Sequence, residues 1–258
     1  MSFNLEIAAV VVVAGLLCGF LNTVASSGSA VSLPILLWVG LPAVDANATN
    51  RVPVLIGAIA ATAGLARKGA VPWRRALLAA IPVTVGAALG ALLSEAIPSH
   101  DLRLVITGAV VAALILILAK LRDVISSAAI GTARFGWRPM LLLFLVGIWT
   151  GFIVLDCATY MLLVLVLMAG LPLVEANAIK NVLLVPTTAV AMLIFASNQS
   201  IDWTLGGAMA LGSIIGGFLG TRLAISEQAR RWIVGLLITV IVGELIHLSI
   251  QYCMDLLG

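Results

Sequence analysis

Apolar runs dominate this chain, and the polar positions fall in groups between them. The apolar stretches lie at about 7–41, 52–66, 76–97, 102–119, 139–172, 182–197, 203–224 and 232–250. A helix crosses hydrocarbon in about 20 residues at ~1.5 Å rise each. The stretches at 7–41 and 139–172 are too long for one helix and short for two upright helices with a turn. Each therefore predicts two short or broken helices, giving about ten helical segments in all. Inside the first of them stands NTVASSGSAVSLP (22–34), a run of small polar residues where helix would be expected.

The polar groups repeat. GLPAVDANATNRV at 40–52 returns as GLPLVEANAIKNV at 170–182, an offset of 130 residues. At the same offset Trp73 meets Trp203, and GAALGALL (86–93) meets GGFLGTRL (216–223). Gly19-Phe20 matches Gly151-Phe152 after a two-residue slip. Matched anchors at one offset predict a duplicated chain: repeat one over 1–122, a loop over 123–138, and repeat two over 139–258, together forming a single membrane domain.

Composition changes the solvent. Hydrophobic residues make up 62% of the chain and charged residues 10%, with a mean hydropathy of +1.22. Soluble domains run at roughly 45–50% apolar and about 25% charged, so lipid must be the solvent for most of the length. The net charge of +3 points to no nucleic-acid partner, because the basic residues sit in short loops. In such loops they report topology instead. Arg67, Lys68, Arg74 and Arg75 follow the third segment, Lys120, Arg122, Arg134 and Arg138 the fifth, and Arg222, Arg230 and Arg231 the ninth. With basic loops cytoplasmic, both termini are expected outside. An odd number of segments per half then turns the second half upside down. The expected fold is an all-α integral membrane protein of two inverted-topology repeats of about five segments, the first two in each short or broken. Secondary transporters built this way bind substrate near the midplane between the repeats. The first segment lacks a basic leader and a small-residue cleavage site, so it reads as a span that stays.

The repeated element carries the candidate chemistry. Asn47, Asn50 and Arg51 share one helical face, and Asn177, Lys180 and Asn181 occupy the same three positions in the second copy. The cation has moved one place, with an Asn in the other slot. These residues either lie at the interface, with their long cations snorkelling, or turn inward to present amides and a cation to an anion. In the break, Ser26, Ser27, Gly28 and Ser29 read either as close helix packing or as unwound backbone and hydroxyls forming an anion-binding concavity before a short helix. Asp156, the sole charge between Pro139 and Val174, joins Asp45 and Glu175 as a candidate for proton coupling. Glu244 and His247 read as interfacial, with a proton relay as the alternative.

Other classes fit less well. A Ser–His dyad between ASSG (25–28) and His247 would need both groups on facing helices, and it leaves the duplication unexplained; no enzyme is expected. Cys18, Cys157 and Cys253 are widely spaced and imply neither a disulfide framework nor a metal motif. No cofactor or metal is expected, since ligand clusters are lacking. A membrane scaffold binding a partner helix is a rival, although no long loop exists to recruit one. An oligomer is left open.

Taken together, Gly19-Phe20, the small-residue break ending in Pro34, GLPAVDANATN and its second copy resemble the sulfite exporter family TauE/SafE, also called toluene sulfonate uptake permeases. The resemblance covers essentially the whole chain. The family's first break usually holds several consecutive glycines, where this chain has ASSGSAVSLP and keeps only Gly28. The resemblance implies passage of sulfite, sulfoacetate or other organosulfonates across a bacterial inner membrane, export being the commoner direction. Another small anion such as a carboxylate is the nearer alternative.

Overall fold

The computed structural model describes residues 5–96, 135–154, 157–198 and 200–226, with Arg231 and Gly235. Every regular element among them is helical. The first half gives α1 (Leu5–Val24), α2 (Ser29–Trp38), α3 (Ala43–Thr49), α4 (Arg51–Arg67) and α5 (Trp73–Ala96). The second gives α6 (Trp137–Phe152), α7 (Cys157–Leu163, widening into a π-type turn over Val164–Met168), α8 (Leu173–Ser197) and α9 (Trp203–Ala224). Five helical runs are long and apolar enough to cross a membrane: Glu6–Val24, Ala43–Arg67, Trp73–Ala96, Leu173–Ser197 and Trp203–Ala224. The stretch expected at 102–119 and all of that at 232–250 but Gly235, like Asp156, Glu244 and His247, lie outside the described residues.

Residue size, more than polarity, divides the faces of these helices. In α5, Leu77, Ile81, Val85, Leu89 and Leu92 are exposed, while Ala76, Ala79, Gly86, Gly90 and Ala91 are buried. In α9, Leu211, Ile215, Phe218 and Leu219 face out, and Gly212, Ser213, Gly216 and Gly220 face in. In lipid there is no hydrophobic gain from burying leucine, so helices associate where small residues admit close backbone approach. A Cβ added at Gly216 would lie 2.0 Å from the Leu16 carbonyl oxygen of α1, and one at Gly90 would lie 1.9 Å from that of Ile148 in α6. The matched glycine motifs thus do the same work, each seating a helix of one half against the first helix of the other. Ser213 adds a polar tie by donating to the Pro53 carbonyl at 2.6 Å. Trp38, Trp73, Trp137 and Trp203 stand exposed at helix ends, where amphipathic rings suit the membrane–water interface.

Both Gly-Leu-Pro sequences are helix starts. Gly40 and Gly170 have φ of +105° and +70°, a conformation that ends the preceding helix at little cost for glycine. Pro42 and Pro172 follow with extended ψ of 152° and 142° and lead into α3 and α8. The copies then differ. Pro53 lacks an N–H and crowds the carbonyl four residues earlier, and the helix is interrupted at Asn50 between α3 and α4. The matching position in the second copy is Leu183, and α8 runs unbroken from Leu173 to Ser197. The sequence places a break before 182; the polar residues 175–181 instead lie within α8.

Candidate functional site

Asn47, Asn50, Arg51, Asn177, Lys180 and Asn181 are all buried, with Arg51 and Lys180 among the largest fully enclosed side chains. That burial turns all six into the protein interior instead of out to water. Their partners are the surprise. A helix leaves its last carbonyls without intrahelical donors and carries partial negative charge at that end. In α6 the Trp149 carbonyl accepts from Ile153 N, 2.8 Å away. Arg51 of α4 then donates to Thr150 O at 2.9 Å and to Gly151 O at 2.5 Å, and Asn47 Nδ2 donates to Phe152 O at 3.2 Å. The last three carbonyls of α6 are closed by the first copy of the repeated element.

The second copy does the same for α1. Ala25 N donates to Leu21 O at 2.7 Å. Lys180 Nζ then donates to the Asn22 carbonyl, and Asn177 and Asn181 donate to Thr23 O at 3.0 and 3.3 Å. Each half therefore caps the broken helix of the other. Arg51 also stacks its guanidinium 4.7 Å from the centre of the Phe195 ring.

Between α1 and α2 the chain turns back on itself. Gly28 approaches α1 so closely that an added Cβ would sit 2.1 Å from Cys18 O, and its N–H donates to Asn22 Oδ1 at 2.8 Å. Ser26 is the one non-glycine residue with positive φ (67°) among the described residues. Such a backbone costs about 1–2 kcal/mol outside glycine and tends to mark functional sites. Thr159 of α7 donates to Ser26 O at 3.2 Å. Ser32 of α2 reaches Asn50 Oδ1 at 2.6 Å, joining the break to the first copy's amide face.

Several buried polar atoms here have no partner among the described residues: the hydroxyls of Ser26 and Ser27, Asn50 Nδ2, Arg51 Nε, and Oδ1 of Asn177 and Asn181. Most such atoms in folded proteins are paired, so a cluster of exceptions calls for a functional account. Gly28 and Ser29 differ from their neighbours. Gly28 serves the close packing and Ser29 opens α2, both buried. Asp45 and Glu175 do not join the cluster. Both are partly exposed in the first turns of α3 and α8, and Glu175 pairs with exposed Arg75 at 2.5 Å. Among the described residues, no group of three or more His, Cys, Asp or Glu could hold a metal ion.

The sequence reading did not single out Asn22, Thr23, Thr150 or Gly151 as the groups these cations meet, nor Ser32, Thr159 and Phe195. Asn22, Thr23 and Ser32 belong to the polar run it stopped on; nothing in the pattern marked Phe195.

Several helices are long and apolar enough to span a bilayer and the helix breaks between them are buried, and comparison with known proteins agrees with a membrane protein. A family model described as "Sulfite exporter TauE/SafE" matches residues 11–245. Similar chains include the "Probable membrane transporter protein ORF9" of a Sinorhizobium species, 27% identical over 84% of this chain and 83% of its own. A "Probable membrane transporter protein" of Haemophilus influenzae is 27% identical over 88% of this chain and 89% of its own. One of the same description from Xylella fastidiosa is 30% identical, covering 84% and 85%. No solved structure matches. With nearly the whole chain matched and several apolar helices able to span a bilayer, this multi-pass protein belongs to the sulfite exporter TauE/SafE family of membrane transporters.

Proposed function

We propose that the chain carries small sulfur-containing anions (sulfite, sulfoacetate or related organosulfonates) out of a bacterial cell across its inner membrane, by alternating access around the break at 25–29. The observation that carries this reading is an imbalance of charge at that break. The negative end of α1 is neutralised by Lys180, Asn177 and Asn181. The positive end of α2 meets one side-chain acceptor, Asn22 Oδ1 on Gly28 N, and beside it lie the unpartnered hydroxyls of Ser26 and Ser27. A compensated helix end facing a helix N-terminus flanked by two unpartnered hydroxyls favours an anion. Asn50 Nδ2 and Arg51 Nε supply further donors from the first copy.

The inverted arrangement is supported by the pair Arg75–Glu175. The end of α4 joins the start of α5 through residues 68–72, and Arg75 at that start binds Glu175 at the start of α8. The two copies of the repeated element therefore run in opposite directions. Arg67, Lys68, Arg74 and Arg75 cluster at this same end, which makes it the cytoplasmic side. Two copies that each cap the other's break give a rocking motion a natural pivot. Proton coupling would fall to Asp45 or Glu175 among the described carboxylates, with Asp156 as the third candidate.

Flux of labelled sulfite in proteoliposomes tests the reading. Ser27→Ala removes a hydroxyl with no partner among the described residues, so it should slow flux at least several-fold and leave thermal stability unchanged. Unaltered flux in both Ser27→Ala and Ser26→Gly would remove the break from the pathway.

A further inference from the structure

The two breaks are closed unequally. Asn47 uses both ends of its amide, donating from Nδ2 to Phe152 O at 3.2 Å and accepting at Oδ1 from Val154 N at 3.0 Å. Asn177 holds the same position in the second copy and uses one end only, donating to Thr23 O at 3.0 Å. Asn181 donates to Thr23 O and to the Asn177 carbonyl, 3.3 and 2.9 Å away. The Oδ1 atoms of both residues lack a partner among the described residues, although each side chain is 99% enclosed. Chemistry fixes which way these amides face. A backbone carbonyl only accepts, so Nδ2 must meet Thr23 O, and a flipped amide would set oxygen against oxygen. Two buried acceptors are thus turned away from the end of α1.

An anion without a proton to offer cannot satisfy them, because its oxygens are acceptors too. The orphaned set beside residues 22–32 is mixed: Ser26, Ser27 and Asn50 offer donors, while Asn177 and Asn181 offer acceptors. Resting on the anion reading above, we infer that Asn177 and Asn181 are specificity residues which accept a hydrogen bond from the substrate. The site then takes a monoanion that keeps a donor of its own: hydrogensulfite, or an alkanesulfonate bearing a hydroxyl or ammonium group. The charged oxygens face the serine hydroxyls and the Asn50 amide, and the donor faces the two Asn oxygens. A dianion or a donor-free sulfonate leaves both acceptors buried and unpaired, which is the arrangement that rejects analogues most strongly.

Calorimetric binding to the purified full-length chain in detergent decides the matter through matched pairs. Hydroxymethanesulfonate is compared with methanesulfonate, 2-aminoethanesulfonate with ethanesulfonate, and hydrogensulfite with sulfite by raising the pH. The pairs separate hydroxyl, ammonium and protonated oxyanion as the source of the donor. In at least one pair the donor-bearing member should bind about tenfold tighter or better. Asn177→Leu leaves Thr23 O with Asn181 and should narrow that preference while sparing the donor-free ligand. Equal affinity within every pair overturns this inference and leaves the anion reading standing. Equal weakening of both members by Asn177→Leu also overturns it, since that is a structural effect. Failure of all these anions to bind removes the anion reading and this one with it. The comparison of ligands on the unaltered chain holds whether or not the variant folds.

Discussion

Arg51 of α4 donates to the carbonyl of Gly151 at the end of α6, 2.5 Å away and 100 residues along the chain. Its other terminal nitrogen takes Thr150 O, so one planar fork caps two neighbouring carbonyls. Arg51→Ala strands both in a buried site, at about 1–3 kcal/mol for each unsatisfied group. Thermal unfolding in detergent should therefore show a loss of about 2 kcal/mol or more. Arg51→Lys keeps the charge without the fork, so an intermediate loss is expected. An Arg51→Ala protein as stable as the parent would end the capping role. This also makes Arg51→Ala a poor probe of transport on its own, because lost flux would follow from lost structure.

Ser26 offers the cleaner probe. Its φ of 67° is strained for a residue with a Cβ, and its hydroxyl has no partner among the described residues. Ser26→Gly relieves the strain, worth about 1 kcal/mol, and deletes only the orphaned hydroxyl. Stability should rise or hold while sulfite flux falls. A variant that is both more stable and fully active would show the hydroxyl to be idle.

The unequal use of Asn47 and Asn177 predicts unequal costs. Asn47→Ala frees Phe152 O and Val154 N together, both in a buried site. Asn177→Ala frees nothing outright, since Asn181 still donates to Thr23 O. The first substitution should cost about 2 kcal/mol or more and the second about 1 kcal/mol or less. Denaturant or thermal unfolding of the two variants side by side checks the order. Reversal of that order would contradict the capping scheme.

Much of the architecture was written in the pattern of residue types. The stretch 203–224 coincides with α9, and the two matched segments beginning Gly-Leu-Pro each open a helix, α3 and α8. Spacing put Asn47, Asn50 and Arg51 on one face and Asn177, Lys180 and Asn181 on its counterpart, but left open whether these faces turn inward; burial decides it. Spacing did not show their partners. Arg51 and Lys180 meet backbone carbonyls of Thr150, Gly151 and Asn22, and every residue type carries such a carbonyl. No letter in the sequence marks which carbonyl is left without its helical donor; that depends on where α1 and α6 stop. The apolar stretch read at 182–197 is shorter than α8 for a related reason. Asn177, Lys180 and Asn181 are polar because their face meets polar backbone, and a reading by hydropathy takes that polarity for an exit from the membrane.

Arg75 and Glu175 link the two halves at the surface, 2.5 Å apart with side chains 45% and 26% exposed. Exposed pairs are screened by water and salt, and their coupling is typically about 0.2–1 kcal/mol. A double-mutant cycle of Arg75→Ala and Glu175→Ala should return a value in that range, shrinking as salt rises. A coupling of several kcal/mol would mean that this contact is sealed from water and belongs to the gate of the transporter.

The glycines of α9 permit a test of how the helices are held together. Gly216 and Gly207 share one helix, yet a Cβ at Gly216 would lie 2.0 Å from Leu16 O, and one at Gly207 meets nothing within 4 Å. Gly216→Ala must push α1 and α9 apart along their closest approach, where overpacking costs typically about 1–3 kcal/mol or more. Gly207→Ala adds only helix propensity, a gain of about 0.5–1 kcal/mol. Expression and unfolding temperature should therefore move in opposite directions for the two variants. If Gly216→Ala were as well tolerated as Gly207→Ala, the seam between α1 and α9 would be looser than described. The cross-capping of the breaks depends on that seam, because Lys180 reaches Asn22 only while α1 stays seated against the second half.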